Sequence, residues 1–177
     1  MPRIHSSREI RDCVYYDTHK MEPGQHLLFF DTNESIGDLN RCNLHTPGVL
    51  VLDQTVFLFS VGLRILGTTR DEEDPLLDQF IVIPTLRNKP QNELPGNVCS
   101  TLRYVNKDQA ADPVDDPIAF TPGYMFKTQI IVPVRQHFSL HIYRAKRDAI
   151  VSPAPAGAFG ALTVRAKLFT VVRRDVA

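Results

Sequence analysis

Residues 49–66 read VLVLDQTVFLFSVGLRIL, the most apolar stretch of the chain. Its length invites a helix or even a membrane span. Asp53, Gln54, Ser60 and Arg64 interrupt it and argue against the membrane. The period decides the rest. Phe57, Phe59, Val61, Leu63 and Ile65 share one parity, with Leu58, Ser60, Gly62 and Arg64 between them. Alternation with period two is the mark of a half-buried strand, because successive side chains point to opposite faces. Asp53-Gln54 reads as a turn or bulge that splits the run. The stretch therefore predicts β-structure, and the neighbouring segments can be tested against the same period.

Several of them pass. Residues 137–144 alternate, with Phe138, Leu140 and Ile142 on one face and His137, Ser139, His141 and Tyr143 on the other. Residues 163–173 alternate too: Val164, Ala166, Leu168, Thr170 and Val172 against Thr163, Arg165, Lys167, Phe169, Val171 and Arg173. Shorter strand-like runs are 11–16, 26–30 (HLLFF), 80–86 (FIVIPTL), 98–105 (VCSTLRYV) and 124–132 (YMFKTQIIV). Pro84 inside FIVIPTL places that strand at an edge or a bulge, since proline cannot donate to a ladder. Met21-Glu22-Pro23-Gly24 is a turn signal. Residues 70–78 (RDEEDPLLD) are acidic, contain a proline and read as a loop, as do 31–47, 87–96, 106–123 and the Pro/Ala/Gly segment 152–162. No pattern sustains a helix of three turns.

Eight or nine strands, cut apart by 13 prolines, predict an all-β sandwich or barrel. Several connections are long, and the chain is nearly twice the ~100 residues of an immunoglobulin-like sandwich. A single jelly roll, two sheets joined by Greek-key connections, fits better. The 177 residues make one domain, 1–177, with residues 1–9 an extended N-terminal arm.

Composition narrows the function classes. Twenty basic residues balance twenty acidic ones. A dedicated nucleic-acid binder usually carries a basic excess, so direct sequence-specific nucleic-acid binding is not expected. The start, MPRIHSSREIRD, lacks the apolar core of a signal peptide. Cys13, Cys42 and Cys99 are odd in number and widely spaced. They suit three separate, largely buried thiols better than a disulfide framework or a zinc site, with one intermolecular disulfide as the alternative.

No catalytic motif appears. His137 and His141 mimic an H-x-x-x-H metal pair, but that spacing works on a helix. On a strand the two side chains stand about 13 Å apart, too far to share a zinc ion bound at about 2 Å. No H-x-H pair of the kind cupins use occurs. Asp112-Pro113-Val114-Asp115-Asp116 and Asp71-Glu72-Glu73-Asp74 read as solvated turns rather than calcium loops. Asn33-Glu34-Ser35 matches a glycosylation acceptor by chance. Arg144, Lys146 and Arg147, and Arg173-Arg174, read as solvated strand ends. The expectation is a non-enzyme with no metal and no cofactor. The polar face His137, Ser139, His141 and Tyr143 is the candidate for subunit contact.

A family resemblance adds to this. The run 49–66, and TPGYMFKTQIIVPVRQHFSLHIYRA at 121–145, resemble capsid proteins of tailless icosahedral viruses. The shared pattern is a Pro-Gly lead into an apolar strand. A strand pair then reads apolar run, Pro, polar residue, Phe-Ser-apolar-X-apolar. Here that pair is Ile130-Ile131-Val132-Pro133 and Gln136-His137-Phe138-Ser139-Leu140. The sequence is similar to the single jelly-roll major capsid proteins of membrane-containing bacteriophages such as those infecting Thermus. The resemblance implies a small major capsid subunit, made in the host cytoplasm and found in the virion. It implies homo-oligomeric assembly into an icosahedral shell, with a second capsid protein and the internal viral membrane as further partners. Two other functions compete. A carbohydrate- or ligand-binding β-sandwich module is disfavoured by the absence of Trp, a preferred sugar-stacking residue. A cupin-like enzyme is disfavoured by the missing ligand spacing.

Overall fold

The alternating runs become eleven strands in the computed structural model, which describes residues 7–31, 41–50, 54–104, 118–120, 122–150 and 154–176. In chain order they are β1 (Ser7–Met21), β2 (His26–Phe29), β3 (Thr55–Ile65), β4 (Phe80–Leu86), β5 (Lys89–Pro90) and β6 (Leu94–Pro95), followed by β7 (Leu102–Tyr104), β8 (Ile118–Phe120), β9 (Tyr124–Val132), β10 (Phe138–Arg144) and β11 (Leu162–Val176). One short helix, α1 (Arg70–Leu77), lies between β3 and β4. One sheet has the order β1-β11-β3-β9, the other β2-β10-β4-β5 with β6 also on β4, and β7 pairs with β8. The chain is an all-β sandwich of two antiparallel sheets packed face to face, as the period-two runs predict.

The pairing is nested. β1 runs antiparallel to β11 from Ser7 opposite Val176 to Met21 opposite Leu162. Inside that pair, β2 joins β10, β3 joins β9 and β4 joins β5, all antiparallel. Residues 7–9, read from sequence as part of an extended arm, belong to β1. The acidic segment 112–116, the acceptor motif 33–35, Asp53 and residues 1–6 lie outside the described residues.

The core forms where the inner faces meet. Phe138, Leu140 and Ile142 of β10 are fully buried, as are Val164, Ala166 and Leu168 of β11. Phe80 and Val82 of β4 and Phe29 of β2 join them. These alternations follow the parity read from sequence.

Three local expectations are corrected. First, β3 does not keep one parity. Val56 and Leu58 are buried at its start, but Val61, Leu63 and Ile65 at its end. A β-bulge between Leu58 and Ser60 inserts one residue against Phe169/Thr170 of β11 and switches faces. Phe57 and Phe59 are thereby only half-buried. Second, residues 70–77 form a helix, not a loop. The Thr69 N–H and hydroxyl donate to the Glu72 carboxylate at 2.8 and 2.9 Å. Those bonds hold the Glu72 carboxyl below its ordinary value. The acids of the first turn, Asp71, Glu72 and Glu73, favour the positive end of the helix dipole. Leu76 and Leu77 anchor the helix in the core, and the fully buried Glu73 pairs with Arg64 of β3. Third, 98–105 is not one strand: Gly96–Cys99 forms a 3-10 turn before β7.

Pro84 is accommodated as its chemistry requires. β6 pairs with Ile81 and Val82, β5 with Thr85 and Leu86, and Pro84 falls in the gap between them. Its carbonyl accepts the Gln91 N–H at 2.8 Å on that side, so the missing donor costs no ladder bond.

Arg144 ends β10 inside the protein, 3% exposed. Its guanidinium donates to the carbonyls of Met21, Gly160 and Ala158 at 2.6, 2.7 and 2.8 Å. Two longer bonds of 3.3 Å reach the Gln79 side-chain oxygen. Its sequence position predicts a solvated strand end; it is instead a buried staple between both sheets and the 154–161 loop. Arg144→Met is expected to leave several buried carbonyls unpaired and to cost about 3 kcal/mol or more. The urea midpoint of unfolding measures this loss.

Candidate functional site

The four residues singled out on β10 separate into three environments. His137, just before the strand, donates from Nε2 to the Asp31 carboxylate at 2.7 Å. Gly48 lies directly over this pair, with φ of +68°. A side chain there would overlap the His137 ring and the Asp31 carboxylate. Gly48 is also held by its N–H to the Phe30 carbonyl at 2.6 Å and by its own carbonyl, which accepts the Phe138 N–H at 2.8 Å. Ser139, opposite Thr85 of β4, is buried. It is therefore unavailable for the subunit contact expected of it.

His141 and Tyr143 remain on the outer face of the five-stranded sheet, where His26 of β2 meets them. The His26 and Tyr143 rings stack at 4.0 Å, nearly parallel. His26 Nε2 and His141 Nδ1 lie 3.0 Å apart, so one donates and the other accepts. The cross-strand register explains the cluster, since Tyr143 faces His26 and His141 faces Leu28. Beside it opens a shallow pocket of about 340 Å³, lined by Thr85, Asn88, Glu93, His141 and Tyr143, with Ile83 and Pro90. Arg87 and Asn88 both have positive φ, 52° and 61°. They form the tight two-residue turn that brings β5 back along β4. An aromatic platform beside a carboxylate, an amide and a hydroxyl can hold a small polar ligand by stacking and hydrogen bonds.

Electrostatics favours a neutral His141. Burial lowers its pKa, repulsion from His26 and His137 adds to that, and Asp31 opposes it. His137 and His141 engage different partners, Asp31 and His26, as strand geometry requires. Among the described residues no three His, Cys, Asp or Glu side chains gather as a metal site.

Elsewhere, the three cysteines are free thiols; Cys42 and Cys99 are buried and Cys13 partly so. Burial pushes the Cys99 thiol up to about 12. Cys13 and Tyr15 line a second cavity of about 400 Å³ between β1 and residues 43–50. Burial, then the neighbouring Cys13, raises the Tyr15 phenol well above its ordinary value. Among the described residues no helix is long and apolar enough to cross a membrane.

Sequence reasoning missed His26, Asn88 and Glu93. His26 sat in HLLFF, read only as an apolar run, and its partner lies 115 positions away. No local signal joins residues so distant. The His137–Asp31 pair was missed for the same reason.

Two outcomes follow. The unfolded chain takes up the His141 proton before the folded one does. The stability contributed by a neutral His141 is therefore complete above the ordinary histidine value of about 6.5 and falls as pH drops below it. The urea midpoint should fall with acidification across this window, and His141→Asn should flatten that slope. Gly48→Ala should cost about 1–3 kcal/mol by forcing a side chain into the left-handed region. It should also break the His137–Asp31 bond, seen as loss of the hydrogen-bonded His137 ring N–H signal by NMR. No family model and no curated protein matches the sequence, so the site rests on its geometry alone.

Proposed function

We propose that this chain is a structural coat subunit. On this reading it is a small major capsid protein of the single jelly-roll kind found in tailless, membrane-containing icosahedral phages. It assembles with copies of itself, and with a second capsid protein, into a shell over an internal membrane. The observation that carries this is the nested strand order. A jelly roll is a long antiparallel hairpin rolled up so that its successive strand pairs fall alternately into two sheets. The pairs β1·β11, β2·β10, β3·β9 and β4·β5, in the orders β1-β11-β3-β9 and β2-β10-β4-β5, support that reading.

The surface supports the same reading. The outer face of the four-stranded sheet exposes Ile10 and Val14 on β1 and Met125 and Ile131 on β9. Half-buried Phe57, Phe169 and Val171 lie between them in register. Exposed and half-buried apolar side chains on all four strands, interleaved with charged ones such as Asp12 and Arg173, suit a surface that packs against a partner. A second reading, a carbohydrate- or ligand-binding module, draws on the pocket beside His141 and Tyr143.

Light scattering and negative-stain microscopy across salt and protein concentration, with and without lipid vesicles, test the coat function. Rings, sheets or shells are the expected result. A strict monomer under all conditions, combined with saturable binding in a glycan screen, would replace it with the second reading.

A further inference from the structure

β1 is a 15-residue strand at the edge of its sheet, longer than most strands. Its inner side is fully paired with β11. On its outer side, the Asn43 side chain donates to the Val14 carbonyl and accepts the Tyr16 N–H, both at 2.8 Å. Asn43 thus imitates a neighbouring strand at residues 14–16. It also reveals the strand's orientation: even-numbered residues turn their N–H and C=O towards the outer edge. The ladder to β11 is regular throughout, so Arg8, Ile10 and Asp12 do the same. Among the described residues no strand pairs with the edge over 7–13. Unpaired edges of this length are templates for pairing with another chain.

The sequence of that edge is self-complementary. Residues 7–13 read SREIRDC. Laid antiparallel on itself about Ile10, the segment sets Arg8 opposite Asp12 and Glu9 opposite Arg11. Shifting the centre by one residue in either direction loses both opposite-charge pairs. At the centre Ile10 meets Ile10, and this is the most exposed large apolar side chain described, at 66%.

We propose that two copies of this chain join edge to edge through residues 7–13 of β1, antiparallel and centred on Ile10. Each pair Arg8–Asp12 and Ile10–Ile10 exchanges two backbone hydrogen bonds, as the orientation of the even residues requires. Opposite charges face each other across the strands, and two four-stranded sheets become one continuous sheet. The two-fold symmetry closes the contact, giving a dimer rather than a fibre. This deepens the coat function and rests on it only for the expectation that copies of the chain associate.

The full chain and four variants, each checked for folding by circular dichroism, are compared by sedimentation equilibrium. Ile10→Pro removes an N–H that faces outward, so the β11 ladder is spared. Arg8→Asp puts like charges opposite at two symmetric places. Both should weaken the dimer about tenfold or more, and Arg8→Asp/Asp12→Arg should restore it to within about threefold. Ser7→Cys places a thiol opposite Cys13 of the second copy and should give a disulfide-linked dimer in oxidised glutathione. Dimers unaffected by Ile10→Pro and Arg8→Asp would overturn this interface, while shell formation by the same variants would leave the coat function standing. A wild-type chain monomeric at every concentration would overturn it too, and if no assembly forms on lipid either, the coat function falls with it.

Discussion

A guanidinium sealed from water needs an acceptor for its N–H groups, because no solvent remains to supply one. Arg144 meets that demand with carbonyls drawn from three places: the end of β1, the 154–161 loop and, through Gln79, the segment between α1 and β4. No carboxylate is among these hydrogen-bond partners. The charge is solvated by oriented backbone dipoles, and its burial lowers the guanidinium pKa. Those dipoles are correctly placed only when both sheets and the loop are home. The Phe80 ring lies beneath the guanidinium, 5.7 Å from centroid to carbon, and completes the packing. A single buried cation therefore couples the closing corner of both sheets to the segment that leads into β11.

A second buried charge does comparable work at the other end of the same corner. Asp17 of β1 accepts the Phe30 N–H at 2.7 Å, the Thr18 N–H at 2.9 Å and a bond from His19 at 2.9 Å. It secures Phe30, whose φ of 68° is unusual for an aromatic residue. From Phe30 the chain leads through Gly48 to Phe138, so the strain there is supported by a continuous set of backbone bonds. The turn Glu22-Pro23-Gly24-Gln25 between these two anchors lets the chain cross from one sheet to the other. Its glycine has φ of 81°, and its backbone N–H donates to the Ala145 carbonyl at 2.8 Å.

The two outer faces then acquire different characters. The five-stranded sheet presents stacked rings and a polar pocket, in which His141 is hydrogen-bonded to His26. The four-stranded sheet presents exposed apolar side chains and, among the described residues, a β1 edge with no partner strand over 7–13. The first suits recognition of a small polar group; the second suits a large, flat partner. Ser139 illustrates why parity alone misjudges exposure. It lies on the outward parity of β10, yet it is buried opposite Thr85.

The sequence by itself determined the fold class and most of the core. Alternation in β10 and β11 named the buried residues correctly, because the pleat forces neighbouring side chains to opposite faces whatever lies around them. It also placed the Pro23-Gly24 turn, and it contained the signals of α1 in Thr69 and Glu72, outweighed there by acidity and Pro75. The tertiary structure alone decided the rest. The bulge in β3 exists because β11 fixes the register on one side, so the parity of Phe57 and Phe59 was not local information. Arg144 looks like any strand-end arginine until distant carbonyls surround it. His26 and His141, Asp31 and His137, and Asn43 and the β1 edge meet across separations of 27 to 115 residues. A period in the sequence reports the direction of a side chain from its own backbone. What that side chain touches depends on which strand lies beside it, and only the closed sandwich supplies that.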